Sequence, residues 1–146
     1  MLDEPVRRVM ERRKLLAASP GTLVYAAAKL MTKHKVSAIV VVEKSRLVGI
    51  FTERDAVSRV IAKGRDPRAT ALAAVMTKNP QTVDPDESLG YALLQMYEKG
   101  FRHMPVVDGG VPIGIISARK ALDPELEEFE SEAERRRSIS RRARVG

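Results

Sequence analysis

Apolar residues fall into two kinds of pattern, and each occurs twice. Over residues 22–34 (TLVYAAAKLMTKH), Leu23, Ala26, Ala27, Leu30 and Met31 recur at the i, i+3, i+4 spacing of a helix with one buried face. Over 87–99 (ESLGYALLQMYEK), Leu89, Ala92, Leu93 and Met96 do the same, after Asp84-Pro85-Asp86-Glu87, whose acids and proline suit a helix start. Each stretch is followed by two short Val- and Ile-rich runs. SAIVVVE and LVGIFT are joined by Lys44-Ser45-Arg46, and HMPVVD and PIGIIS by Gly109-Gly110. Such runs around a Gly-Gly turn read as hairpins, and their near-continuous apolarity implies cover on both faces. A second helix is expected after each hairpin, Glu53 to Ala62 and Ala118 onward. A short extended segment, Leu15 to Ala18 or Gln81 to Val83, precedes each first helix.

The two units are one pattern written twice. Shifted by 65 residues, Pro20 falls on Pro85, Ala27 on Ala92, Met31 on Met96 and Gly49-Ile50 on Gly114-Ile115. Upstream, Val9-Met10 matches Val75-Met76 after a one-residue slip. A single unit of this size has too small a core to stand well alone. The expected fold is therefore mixed α+β, with two βαββα units packed sheet to sheet about a local twofold. Gly64 and Pro67 mark the linker within 63–74. The expected division is residues 1–64, 65–124 and a charged C-terminal segment 125–146, helical over Glu125 to Arg137 and loose from Ser138 to Gly146.

Composition narrows the function classes. Aromatics are 4% and tryptophan is absent, so no platform for stacking single-stranded nucleic acid is visible. With no cysteine, disulfides, thiolate metal sites and cysteine nucleophiles are excluded. MLDEPVRRVMERRK has no apolar signal-peptide region, and runs such as Ala38 to Val42 are too short to cross a bilayer; a cytoplasmic location without membrane contact is expected. The net charge is +7, but residues 135–146 hold six arginines and no acid. Without them 20 basic residues face 19 acidic ones, so the excess belongs to the tail. A solvated end is the ordinary reading of such a cluster; contact with nucleic acid or another acidic partner is the lesser one.

Catalytic signatures are missing: no Walker loop, GxGxxG, GxSxG or HExxH occurs, and one histidine per half makes no metal cluster. Thr52-Glu53-Arg54-Asp55 has two readings. It is a capping box at a strand-to-helix switch. Its hydroxyl and carboxylate also suit two vicinal ribose hydroxyls, beside a helix start that suits phosphate.

The ordered set VM…P…VSAIVVV…LVGIFTERD, repeated as VMT…VDP…FRHMPVVD…IGIIS, resembles a CBS domain pair, or Bateman module, over roughly residues 5–122. The resemblance implies a regulatory module rather than an enzyme, without catalytic cofactor or metal. It implies a homodimer that binds an adenosine-containing ligand (AMP, ADP, ATP, NAD(H) or S-adenosylmethionine) between its repeats and signals to an unidentified protein. Carried onto this sequence, Thr52 and Asp55 hold ribose. Arg102 and His103, with Arg54 in a lesser role, neutralise phosphate. Phe101 lies near the base with Thr82 or Val83 behind it. The second cleft departs from the pattern: Ser117 keeps the hydroxyl, but Lys120 stands where an aspartate is expected and cannot accept from ribose. Val36 and Ala38 remain to cover a base there. One good nucleotide site per chain is therefore expected. The rival readings are a scaffold module with a vestigial cleft, and nucleic-acid contact through the arginine tail.

Overall fold

Both helix–hairpin units form, and the chain crosses between them. The computed structural model describes residues 1–10 and 15–145. The first unit has β1 (Ala17–Ala18), α2 (Val24–His34), β2 (Ala38–Glu43) and β3 (Arg46–Thr52), preceded by α1 (Val6–Val9), a single turn. A short helix α3 (Glu53–Asp55) follows, then α4 (Leu72–Val75) and β4 (Thr77–Lys78). The second unit has α5 (Leu89–Lys99), β5 (His103–Asp108), β6 (Val111–Ser117) and α6 (Ala118–Leu122).

The local signals recur at the 65-residue offset. Both long helices end on a left-handed residue, Lys35 (φ 54°) and Gly100 (φ 77°), the usual way of stopping a helix. Both hairpins turn on two residues of positive φ, Lys44-Ser45 and Gly109-Gly110, which matches the twist of the flanking strands. β1 pairs parallel with β2 through Ala18 and Val41, and Val83 pairs parallel with Val106. One expectation needs correction: the segment after β3 is not a plain α-helix through Ala62. Its turns widen over Ala56–Ile61 to π-helical geometry, with Ala62 N–H donating to Val57 O at 2.8 Å.

The crossing lies in the flanking segments. Leu72, Val75 and Met76 complete the core of Val24, Ala27, Met31, Ile39, Val41 and Phe51. Val6 instead packs with Val83, Leu89, Ala92, Met96, Met104, Val106 and Ile116. Backbone bonds fix both exchanges: Leu72 N–H donates to Thr22 O at 2.9 Å, and Leu89 N–H to Glu4 O at 2.8 Å. Each segment sets a methionine on the glycine of the opposite hairpin, Met76 on Gly49 and Met10 on Gly114. The sheets meet through Ala38, Ile50 and Ile115, with Leu15 against them. This layer of small and β-branched side chains lets the backbones approach closely.

The C-terminal segment differs from expectation. Helix α7 runs from Pro124 to Val145, so residues 138–145 are helical rather than loose. Glutamates fill its first half and arginines its second, which suits the macrodipole and gives Glu132–Arg136 contacts one turn apart.

Gly49→Ala is expected to destabilise the protein by about 1–3 kcal/mol through overpacking. Its Cβ would meet the Met76 side chain and, at 3.0 Å, the Thr77 carbonyl. Gly114→Ala is expected to cost less, because the atoms nearest its Cβ belong to the flexible Met10 side chain. Urea denaturation of the two variants measures the difference.

Candidate functional site

The cleft is built where a strand of each repeat ends. β3 stops at Thr52 because the chain turns into α3, and the Asp55 N–H donates to Thr52 Oγ1 at 3.2 Å. In return Asp55 Oδ2 accepts from the Thr52 N–H at 3.0 Å and from its hydroxyl at 3.1 Å. The capping box is thus formed, with an aspartate doing what glutamate or glutamine more often does. Asp55 is 9% exposed. Its other oxygen faces Arg59 Nε at 3.6 Å, an ion-pair distance too long for a hydrogen bond. Arg59 is itself held by the carbonyls of Val75 and Met76, at 3.1 and 2.9 Å. Two acceptor positions of Asp55 are therefore taken by Thr52, and Oδ1 retains capacity.

The second repeat supplies the facing wall. The Ala118 N–H donates to Arg102 O at 2.9 Å, as the Glu53 N–H does to Ser37 O at 3.0 Å. Each helix start is tied to the residue ahead of the facing hairpin of its own repeat. Ser37 Oγ and His103 Nε2 are 2.8 Å apart, a direct link between the repeats. A cavity of about 850 Å³ lies between the walls, within the range of small-ligand sites. Thr52, Arg54 and Asp55 line it from one side, and Phe101, Arg102 and His103 from the other. Arg54 and Arg102 are exposed, and Phe101 and His103 are half-buried.

Thr82 and Val83 do not line this cavity. Val83 is buried in the second core, because its parallel pairing with Val106 turns its side chain inward; Thr82 is exposed. Asn79, Pro80 and Gln81 line the wall instead, with Ile50, Ser58 and Lys99. Asn79 has φ 46° and precedes a proline, a turn signal in the sequence that redirects the chain across the cavity. Gln81 donates from Nε2 to Gln95 Oε1 at 2.8 Å and accepts from Lys99, which braces that wall.

The second cleft is a groove of about 720 Å³. Val36 and Lys120 line it, whereas Ser117 and Ala38 do not. Strand alternation turns Ala38 into the layer between the sheets, and Ser117 sits in register with His103. Phe129, Ala133, Glu134 and Arg137 of α7 form the outer wall. The sequence carries no periodic signal for that contribution. Among the described residues, no group of three or more His, Asp or Glu side chains is placed to hold a metal ion. No helix among them is long and apolar enough to cross a membrane.

A repeated α/β unit with exchanged flanking segments and a cleft between strand ends defines a tandem-repeat module, and comparison with known proteins gives its family. The CBS domain pattern matches residues 6–62 and 72–124, and the chain belongs to that family. It is 37% identical over 122 residues to the CBS domain-containing protein CBSCBSPB2 of Arabidopsis thaliana, covering 83% of this chain and 23% of that one. The chain thus spans about a quarter of the length of that plant relative. The solved structure of a putative signal-transduction protein with CBS domains from Burkholderia ambifaria is 30% identical. It superposes with a TM-score of 0.77 over 84% of this chain and 94% of that one. The CBS domain pair of MJ0100, solved with 5′-methylthioadenosine and S-adenosyl-L-methionine, shares the fold at a TM-score of 0.74 and 22% identity, over 86% of this chain and 97% of that one.

Asp55→Ala is expected to lower stability by about 0.5–2 kcal/mol through loss of the cap, read as a lower urea midpoint. Arg102→Ala, at an exposed position, is expected to leave the midpoint within about 0.5 kcal/mol.

Proposed function

We propose that the chain is a non-enzymatic regulatory module that binds an adenine nucleotide in the cavity between its repeats. The observation that carries this reading is the convergence of a hydroxyl–carboxylate pair of one repeat and an arginine–histidine pair of the other on one cavity, Thr52 and Asp55 against Arg102 and His103. Ribose hydroxyls donate to the remaining acceptor capacity of Asp55 and meet the Thr52 hydroxyl. Phosphate lies toward Arg102 and His103, with Arg54 at the rim; arginine suits this work through charge-assisted, two-pronged contacts. The base stacks near Phe101 and Pro80. One protein of this fold is in complex with adenosine-containing ligands, but the assignment for this chain rests on its own side chains.

Signalling follows from linkage. A ligand touching both repeats favours whichever arrangement of them it binds better, and shifts what the module presents to a regulated protein. A second reading is supported by the completed capping box: Thr52 and Asp55 have a full structural explanation without ligand, as a scaffold module requires.

Calorimetric titration of the full chain with AMP, ATP, NAD(H) and S-adenosylmethionine separates the two. The nucleotide reading expects one site per chain for at least one of these. Asp55→Ala and Arg102→Ala are each expected to weaken it about tenfold or more, the value of a charge-assisted hydrogen bond, while Lys120→Ala changes it by less than about twofold. No binding of any of the four would favour the scaffold reading; binding with equal small effects of all three substitutions would overturn the site assignment.

A further inference from the structure

Helix α7 lies beyond the family match, which ends at residue 124, and one stripe of it is built to meet itself. Glu125, Phe129, Glu132, Arg136 and Ile139 follow one another at spacings of four, three, four and three, the alternation that makes a continuous seam along a helix. Phe129 and Ile139 on this seam are 68% and 60% exposed. Two large apolar side chains this exposed gain little for a solitary helix, although Phe129 also borders the second cleft.

The four residues from Phe129 to Ile139 on this stripe are also complementary to their own reversal. About residue 134, position 129 maps onto 139 and position 132 onto 136. Phenylalanine exchanges with isoleucine, and glutamate with arginine. The segregation continues on the flanks: residues 125–134 carry six glutamates and no base, and residues 135–144 six arginines and no acid. Macrodipole compensation explains acids in the first turn and bases in the last, since that effect fades within a turn. It accounts neither for segregation along the whole helix nor for the two exposed apolar residues.

We infer that α7 is an interface between copies of this chain, in which two α7 helices pack antiparallel. Phe129 of each copy meets Ile139 of the other, and Glu132 of each faces Arg136 of the other. A parallel pair would set Glu132 against Glu132 and Arg136 against Arg136, so charge selects the antiparallel arrangement. Glu132 already contacts Arg135 and Arg136 within its own helix, so the interhelical pairs form by sharing charges held in place. The apolar pair supplies the attraction, and the charges supply direction and register. The seam adjoins the second cleft, since Phe129 also borders that groove beside Ala133 and Arg137; a second α7 packed on the seam covers the groove's outer edge.

Sedimentation equilibrium of full-length variants over a dilution series tests this. The unmodified chain is expected to reach about twice the mass of the double variant Phe129→Ser, Ile139→Ser, and to fall toward it in high salt as the charges are screened. Glu132→Arg alone and Arg136→Glu alone are each expected at the lower mass, and an equimolar mixture of the two at the higher one. The exchange of both in one chain keeps every pair and is expected to match the unmodified protein. Association through the repeats alone persists in the double variant and sets the lower mass against which the others are read. Equal masses for the unmodified chain and every variant would overturn the inference, as would a mixture that stays at the lower mass.

Discussion

Everything in this structure depends on each repeat borrowing the segment that completes its core. Leu72, Val75 and Met76 lie in sequence just ahead of the second repeat and are buried in the first. Val6 opens the chain and is buried in the second. Neither core is whole without the exchange, so the halves fold as a pair. The cleft lies between the halves so joined. Thr52 and His103 are set by strands of different repeats, and the strands are set by the packing of Gly49 on Met76 and Gly114 on Met10.

Within that frame one aspartate has two tasks. Asp55 closes the helix start with Thr52 and presents its second oxygen toward Arg59. A carboxylate already held by its cap is pre-organised, so a ligand donating to it need not order it again. Arg59, within the π-helical turns that follow, reaches both Asp55 and the end of α4. Turns of this kind are frequent at functional sites.

Much of this was legible in the sequence because the repeat doubles every signal. Helix periodicity, the hairpin turns and the strand pairs at Ala18–Val41 and Val83–Val106 all recur at one offset. What was not legible has physical causes. The exchange is carried by single helical turns, VRRV and LAAV, too short for periodicity to register; only the slipped match of Val9-Met10 to Val75-Met76 hinted at it. Val83 reads as a candidate for the base wall until pairing with Val106 turns it into the core, and the Asn79-Pro80 turn delivers Gln81 in its place. The widened turns over Ala56–Ile61 leave no trace in composition. The contribution of α7 to the second cleft follows from where the helix lies, which its polar sequence does not encode.

The central claim is that one ligand is gripped by both repeats at once. Amide resonances of nitrogen-15-labelled protein, followed while AMP is added, test it most directly. Thr52 to Asp55 and Phe101 to His103 are expected to shift together along a single saturation curve, while the amides of Arg119 and Lys120 hold still. Shifts confined to one repeat, or centred on the second cleft, would contradict it.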